Sequence, residues 1–152
     1  MIYREHWEFR QSWLDYVKSS WKGNGRVELV NDDSPERIEF RERAKSAFIS
    51  IGFPARTVKT YLSVQKPESG DGYAEQYPHV HYPLDGLTLV HYMQPGDLPA
   101  PLDIFDGDNV IETIIPEPGL TVFIPHNVLH GARKNNGTID RIQLIATALR
   151  QS

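Results

Sequence analysis

Cysteine is absent from all 152 residues. Disulfides, thiolate metal sites and cysteine-borne lipid anchors are therefore excluded, and any metal must be held by histidine nitrogen or by oxygen. Long apolar runs are missing as well: none approaches the ~20 residues needed to cross a bilayer. The opening stretch MIYREHWEFRQSW mixes both charges with aromatics, unlike a secretory signal. Positive charge is scarce. Lysine and arginine number 16 against 20 acidic residues, the net charge is −4, and no basic stripe gathers the cations. That balance argues against broad nucleic-acid binding. The expectation is a cytoplasmic protein, monomeric or homodimeric, acting on a small molecule or a peptide.

The residues present, 39% of them hydrophobic, suit one domain over 1–152, with a helical lead-in (1–54) before a β-rich core (55–150). Over residues 4–21, Trp7, Phe9, Trp13, Leu14, Tyr16, Val17 and Trp21 recur at spacings of three, four and seven, which predicts an amphipathic helix. KGNG then stops it. A second helix is predicted in SPERIEFRERAKSAFISIG, with Ser34 as cap, Pro35 in the first turn and Gly52 past the end.

Beyond Ala55 come eight short β-prone runs: VKTYLSVQ, YPHVHY, LTLVHYM, LDIFDG, VIETIIP, LTVFIP, LHGARK and RIQLIATAL, separated by turn residues. Eight short strands at regular spacing favour a sandwich or barrel, and a jelly roll of two four-stranded sheets is the natural closure. The tryptophan stripe is then core, buried where the two helices pack outside one sheet.

The histidines carry the chemistry. Along a strand, His79 and His81 of YPHVHY point to one face. Two ligands hold an ion weakly, so a third is needed. His130, in PGLTVFIPHNVLHGARKN, follows a turn and opens a predicted strand, and in a jelly roll the second and seventh strands can lie adjacent across the mouth. Three histidines leave coordination positions open, as catalytic metal sites require, and neutral imidazoles suit iron(II), zinc, copper or nickel. His6 is expected at the surface, His91 packed beside Leu89 and Met93, and His126 exposed in the turn PHN. The loops QKPESGDGYAEQ and QPGDLPAP would form a rim, the first as a mobile lid.

From about Val58 to Leu149 the chain resembles the 2-oxoglutarate/iron(II)-dependent oxygenases, particularly the prolyl-hydroxylase-like branch of the double-stranded β-helix fold. HVHYPLDGLTLVHYM is similar to that family's first motif, with His79 in the histidine position. IIPEPGLTVFIPHNVLHGARKNNGTIDRIQL is similar to the second, with His130 as the distal histidine and Arg141 eleven residues on. The resemblance implies a mainly β fold, Fe(II), 2-oxoglutarate as co-substrate and hydroxylation of a C–H bond. A guanidinium presents a planar fork that matches a carboxylate, so Arg141 is suited to the far carboxylate of 2-oxoglutarate. Gln143 shares its face of the strand. Tyr92 stands where relatives place a tyrosine that helps bind this carboxylate.

His81 departs from the pattern, because the family has an aspartate there. A three-histidine centre is more positive than one with a carboxylate. His81 can replace the aspartate as ligand, Asp85 can swing in from the turn PLDG, or the oxygenase chemistry has been lost. The cupins are a competing resemblance. HVHYPLD places Asp85 after an HxH pair, and Gly119, Pro125 and His130 fall at the spacing of the second cupin motif. That resemblance implies a metal-dependent dioxygenase or isomerase with Asp85 as a fourth ligand and no keto acid. A non-catalytic jelly-roll module holding a structural zinc is the third alternative.

Overall fold

The computed structural model describes residues 2–74, 78–98 and 100–150. Among these residues, nine strands and two helices follow one another as β1 (Tyr3–His6), α1 (Gln11–Ser20), β2 (Val27–Val30), α2 (Pro35–Ser50), β3 (Thr57–Gln65), β4 (Leu87–Gln94), β5 (Leu102–Asp106), β6 (Asn109–Ile114), β7 (Leu120–Pro125), β8 (His130–Ala132) and β9 (Arg141–Leu149). They form two antiparallel sheets, one of six strands ordered β1-β7-β4-β9-β3-β2 and one of three ordered β6-β5-β8. The fold is a jelly roll, a double-stranded β-helix with both helices against the outer face of the larger sheet. No helix among the described residues is long and apolar enough to cross a membrane.

Period-two alternation decides which side chains meet the helices and which meet the interior. On β9, Ile142, Leu144, Ala146 and Ala148 join the helix-side core, while Arg141, Gln143, Ile145, Thr147 and Leu149 line an internal cavity. On β4, Leu87, Leu89 and Met93 face the helices, and Thr88, Val90 and Tyr92 face the cavity. The helix side is dense with aromatics: Trp7, Trp13, Phe40 and Phe48 are all buried there. A fully buried Phe contributes roughly 1.5–3 kcal/mol, so this layer fixes the helices on the sheet. His91 sits in it, its ring 5.1 Å from Trp7 and edge-on to Trp13 at 5.5 Å. Thr121 Oγ1 donates to the Gly119 carbonyl, so His91 Nδ1–H donates to Thr121 Oγ1 at 2.9 Å. Burial, with Arg43 nearby, pushes the His91 pKa down to about 4.

The second helix is the one predicted: Ser34 Oγ accepts from the Arg37 amide, Pro35 occupies the first turn and Gly52 follows with φ 85°. The first is shorter than expected. Residues 3–6 form β1 instead, pairing with β7 so that Tyr3 opposes Phe123 and His6 opposes Leu120. An edge offering unpaired backbone outweighs a local helical pattern. The stripe is divided but not lost, since Trp7 and Trp13 still reach the same core. β2, paired with β3 from Val27↔Ser63 to Val30↔Thr60, lies between the two predicted helices, in the helical lead-in where no strand was expected. These two additions, with the loss of the strand expected at YPHVHY, turn the expected four-and-four arrangement into six and three.

Candidate metal centre

The predicted strand YPHVHY is absent. Tyr77 lies outside the described residues, and 78–82 form only one isolated antiparallel bridge, His79 with His130. Prolines at 78 and 83 remove the amide donors that a longer ladder would use. The bridge is nevertheless the pairing expected of the second and seventh segments. His79 N donates to His130 O at 2.8 Å and His130 N to His79 O at 3.1 Å. Two residues on, His81 N donates to His126 O at 2.9 Å. The stretch 79–81 thus runs antiparallel to 126–130, and its two histidines lie beside that of residue 130.

The ring centroids of His79 and His81 are 4.8 Å apart, those of His79 and His130 4.7 Å, and those of His81 and His130 4.9 Å. One nitrogen from each ring lies within 4.8 Å of the others. Nε2 of His81 is 3.1 Å from Nε2 of His130. Two nitrogens each about 2.1 Å from one ion lie roughly 3.0–3.4 Å apart, so this pair already has ligand spacing. The His130 Nδ1–H donates to the Val128 carbonyl at 2.9 Å, leaving Nε2 with its lone pair for the cluster. Nδ1 of His79 is buried and has no hydrogen-bond partner among the described residues. A cation would satisfy such a nitrogen, and three imidazoles suit a first-row divalent metal. The residues therefore fit a metal ion. Asp85 stays outside the cluster, exposed on the turn before β4.

The cluster opens into the cavity between the sheets, about 500 Å³ in volume. Thr88, beside the cluster, and Tyr92 are four residues apart on β4, about 13 Å of backbone. Arg141 lies at the Tyr92 end. It is 1% exposed, its Nη1 donates to the Ala100 carbonyl at 2.6 Å, and its guanidinium carbon lies 5.7 Å from the Tyr92 ring centre. Gln143 pairs directly with Tyr92 across the sheet and places a buried amide on the same wall. Val90, Leu102, Ile124 and Ile145 supply apolar walls between the two ends.

Two further expectations differ from the structure. His126, expected at the surface, is 2% exposed. Its ring lies 5.5 Å from that of His81 and lines the cavity. A signal for this was present in LTVFIPH: Leu120, Val122 and Ile124 all face the inner core, and residue 126 continues their alternation. The loop expected as a mobile lid is tied down through residue 74, with Glu68 N donating to Asn135 O, Ala74 N to Ala132 O, and Tyr73 Oη to buried Asp103 at 2.8 Å. Its residues 75 and 76 lie outside the described ones. His6 is exposed and His91 packed, as expected.

No family model matches the chain, and no curated protein matches it in sequence. Its fold is shared with solved structures. A prolyl-4-hydroxylase from Pseudomonas putida superposes with a TM-score of 0.66 at 12% identity, covering 99% of this chain and 92% of that one. A viral collagen prolyl hydroxylase from Paramecium bursaria Chlorella virus-1 gives 0.64 at 11% identity, covering 96% and 88%. HygX from Streptomyces hygroscopicus, solved with nickel and 2-oxoglutarate bound, gives 0.63 at 12% identity, covering 99% and 83%. At such identities the likeness establishes a common fold, that of the prolyl-hydroxylase-like double-stranded β-helix.

Proposed function

We propose that this chain is an iron(II)- and 2-oxoglutarate-dependent oxygenase, an oxidoreductase that hydroxylates a small molecule or a peptide. The observation that carries the reading is the sharing of one cavity by three convergent imidazoles, His79, His81 and His130, and a buried arginine, Arg141. Bound iron with 2-oxoglutarate would supply oxygen activation and the hydroxylating chemistry. HygX, of the same fold, binds nickel and 2-oxoglutarate, which supports the assignment.

The chain's own residues would position and exclude. His130 is aimed by its bond to the Val128 carbonyl. Arg141 is positioned by the Ala100 carbonyl and the Tyr92 ring, and its planar guanidinium is of the kind that matches a carboxylate at the far end of the cavity. Gln143 stands beside it. A five-carbon diacid would then lie between cluster and guanidinium, flanked by Val90, Leu102, Ile124 and Ile145, which keep water from its middle. Three neutral histidines leave the full charge of a divalent ion in place. That charge favours an anionic chelating group more strongly than a site containing an aspartate would.

Anaerobic titration tests the reading. Adding 2-oxoglutarate to the iron(II)-loaded protein should produce a weak visible charge-transfer band and tighten iron binding. Iron uptake with neither effect would overturn the co-substrate assignment.

A further inference from the structure

Among the described residues, His126 is the one buried imidazole on the cavity wall that the proposed metal centre leaves without a role. Both its nitrogens are engaged. Nδ1–H donates to the Pro83 carbonyl at 2.8 Å, and Nε2 lies 2.8 Å from Thr88 Oγ1, whose hydroxyl donates to it. With no lone pair or proton to spare, this ring is suited neither to ligate nor to transfer protons. Its backbone is equally committed: its carbonyl accepts from His81 N at 2.9 Å and its amide donates to Gly86 O at 3.0 Å. Residue 126 therefore grips the segment 81–86 at three points, residues 81, 83 and 86. That segment carries His81 and contains no strand.

Gly86 completes the device. A Cβ there would stand 2.4 Å from His126 Nδ1, so a side chain at 86 would displace the ring. The centre of that ring is 5.5 Å from that of His81.

We propose that His126 is a positioning residue that sets the place of His81 in the metal centre, acting through the turn 81–86. The inference rests on the metal-centre reading but not on 2-oxoglutarate, and cobalt(II) alone can test it. His126→Phe keeps an aromatic ring and removes both polar contacts. Groups bonded directly to metal-bound histidines are typically worth 10–100-fold in affinity; the His126 ring acts one step further out, through Pro83, so a loss of about 10-fold, the lower end of that range, is expected in cobalt titrations followed by visible absorption. The band shape should change too, as the geometry at His81 relaxes. His126→Asn retains a donor for Pro83 and should recover most of the affinity. Thr88→Val, which removes one hydroxyl, should shift affinity in the direction of the Phe variant and serves if that variant does not fold. A purely structural role would lower the urea midpoint of the metal-free protein without rescue by Asn and without a spectral change, and that result would overturn the proposal. Cobalt binding as tight as wild type in both the Phe and Val variants would overturn it as well. If the wild-type protein binds no cobalt, the metal centre itself falls and this inference with it.

Discussion

His79 and His130, 51 residues apart in sequence, form a two-residue bridge in which each backbone amide donates to the other's carbonyl, at 2.8 and 3.1 Å. This bridge joins the two segments that bear the imidazole cluster, so cluster geometry is tied to backbone pairing rather than to side-chain reach alone.

His130 should be indispensable to metal binding. Outer-shell changes cost 10–100-fold, so removing a ligand should cost more than about 100-fold. His130→Ala is expected to show that loss in a cobalt titration, while Asp85→Ala should bind as wild type, because Asp85 lies exposed outside the cluster. A large loss on Asp85→Ala would instead favour the cupin-type ligand set.

Arg141→Lys should separate the co-substrate from the metal. The lysine keeps a charge but loses the planar fork. Hydrogen bonds to charged groups contribute about 1.5–3 kcal/mol, so 2-oxoglutarate should bind roughly 10–150-fold more weakly. Calorimetry on cobalt-loaded protein measures this, with cobalt affinity itself unchanged. Equal 2-oxoglutarate affinity in the variant would remove Arg141 from the proposed site.

His91 should make stability depend on pH. Its folded pKa, about 4, lies below the ordinary 6.5, because burial among Trp7, Trp13 and Phe40 and the nearby Arg43 disfavour the cation. Between those values the unfolded chain binds a proton that the native chain does not, so stability present above pH 6.5 is lost as pH falls toward 4. A shift of this size corresponds to about 3 kcal/mol. Urea midpoints at pH 7 and pH 5 should differ less in His91→Phe than in wild type. An identical pH dependence would show that other groups carry it.

Gly119 should tolerate no side chain. Its φ is +89°, and a Cβ would stand 2.4 Å from the Trp7 carbonyl oxygen, where β1 leads into the first helix. Left-handed backbone costs roughly 1–2 kcal/mol for other residues, and the contact adds to it. Gly119→Ala should lower stability by at least about 2 kcal/mol, near 4–8 °C in thermal midpoint. A melting curve that overlays wild type would refute the close approach.

The strands from β3 to β9 were largely legible because alternation marks them: RIQLIATAL and LTLVHYM each divide cleanly into helix-facing and cavity-facing sets. The second helix was legible because Ser34, Pro35 and Gly52 punctuate it. β1 and β2 were not. Tyr3–His6 sits in a helical pattern, and only the free edge of β7 makes it a strand. Val27–Val30 is four residues long and gains its identity from β3. His126 was misplaced because a histidine between Pro125 and Asn127 has the local signature of an exposed turn, and its burial depends on segment 81–86 folding over it.

By itself, the sequence determined the chemistry on offer: no thiolates, an HxH pair, a third histidine 49 residues beyond His81, and an arginine opening the last strand. These are matters of residue type and short-range spacing, which the covalent chain fixes. Only the tertiary structure decided that His79, His81 and His130 meet, that Asp85 does not join them, and that His126 turns inward to hold His81's segment. Such outcomes depend on contacts between residues dozens of positions apart, whose geometry is set by how the two sheets close on one another.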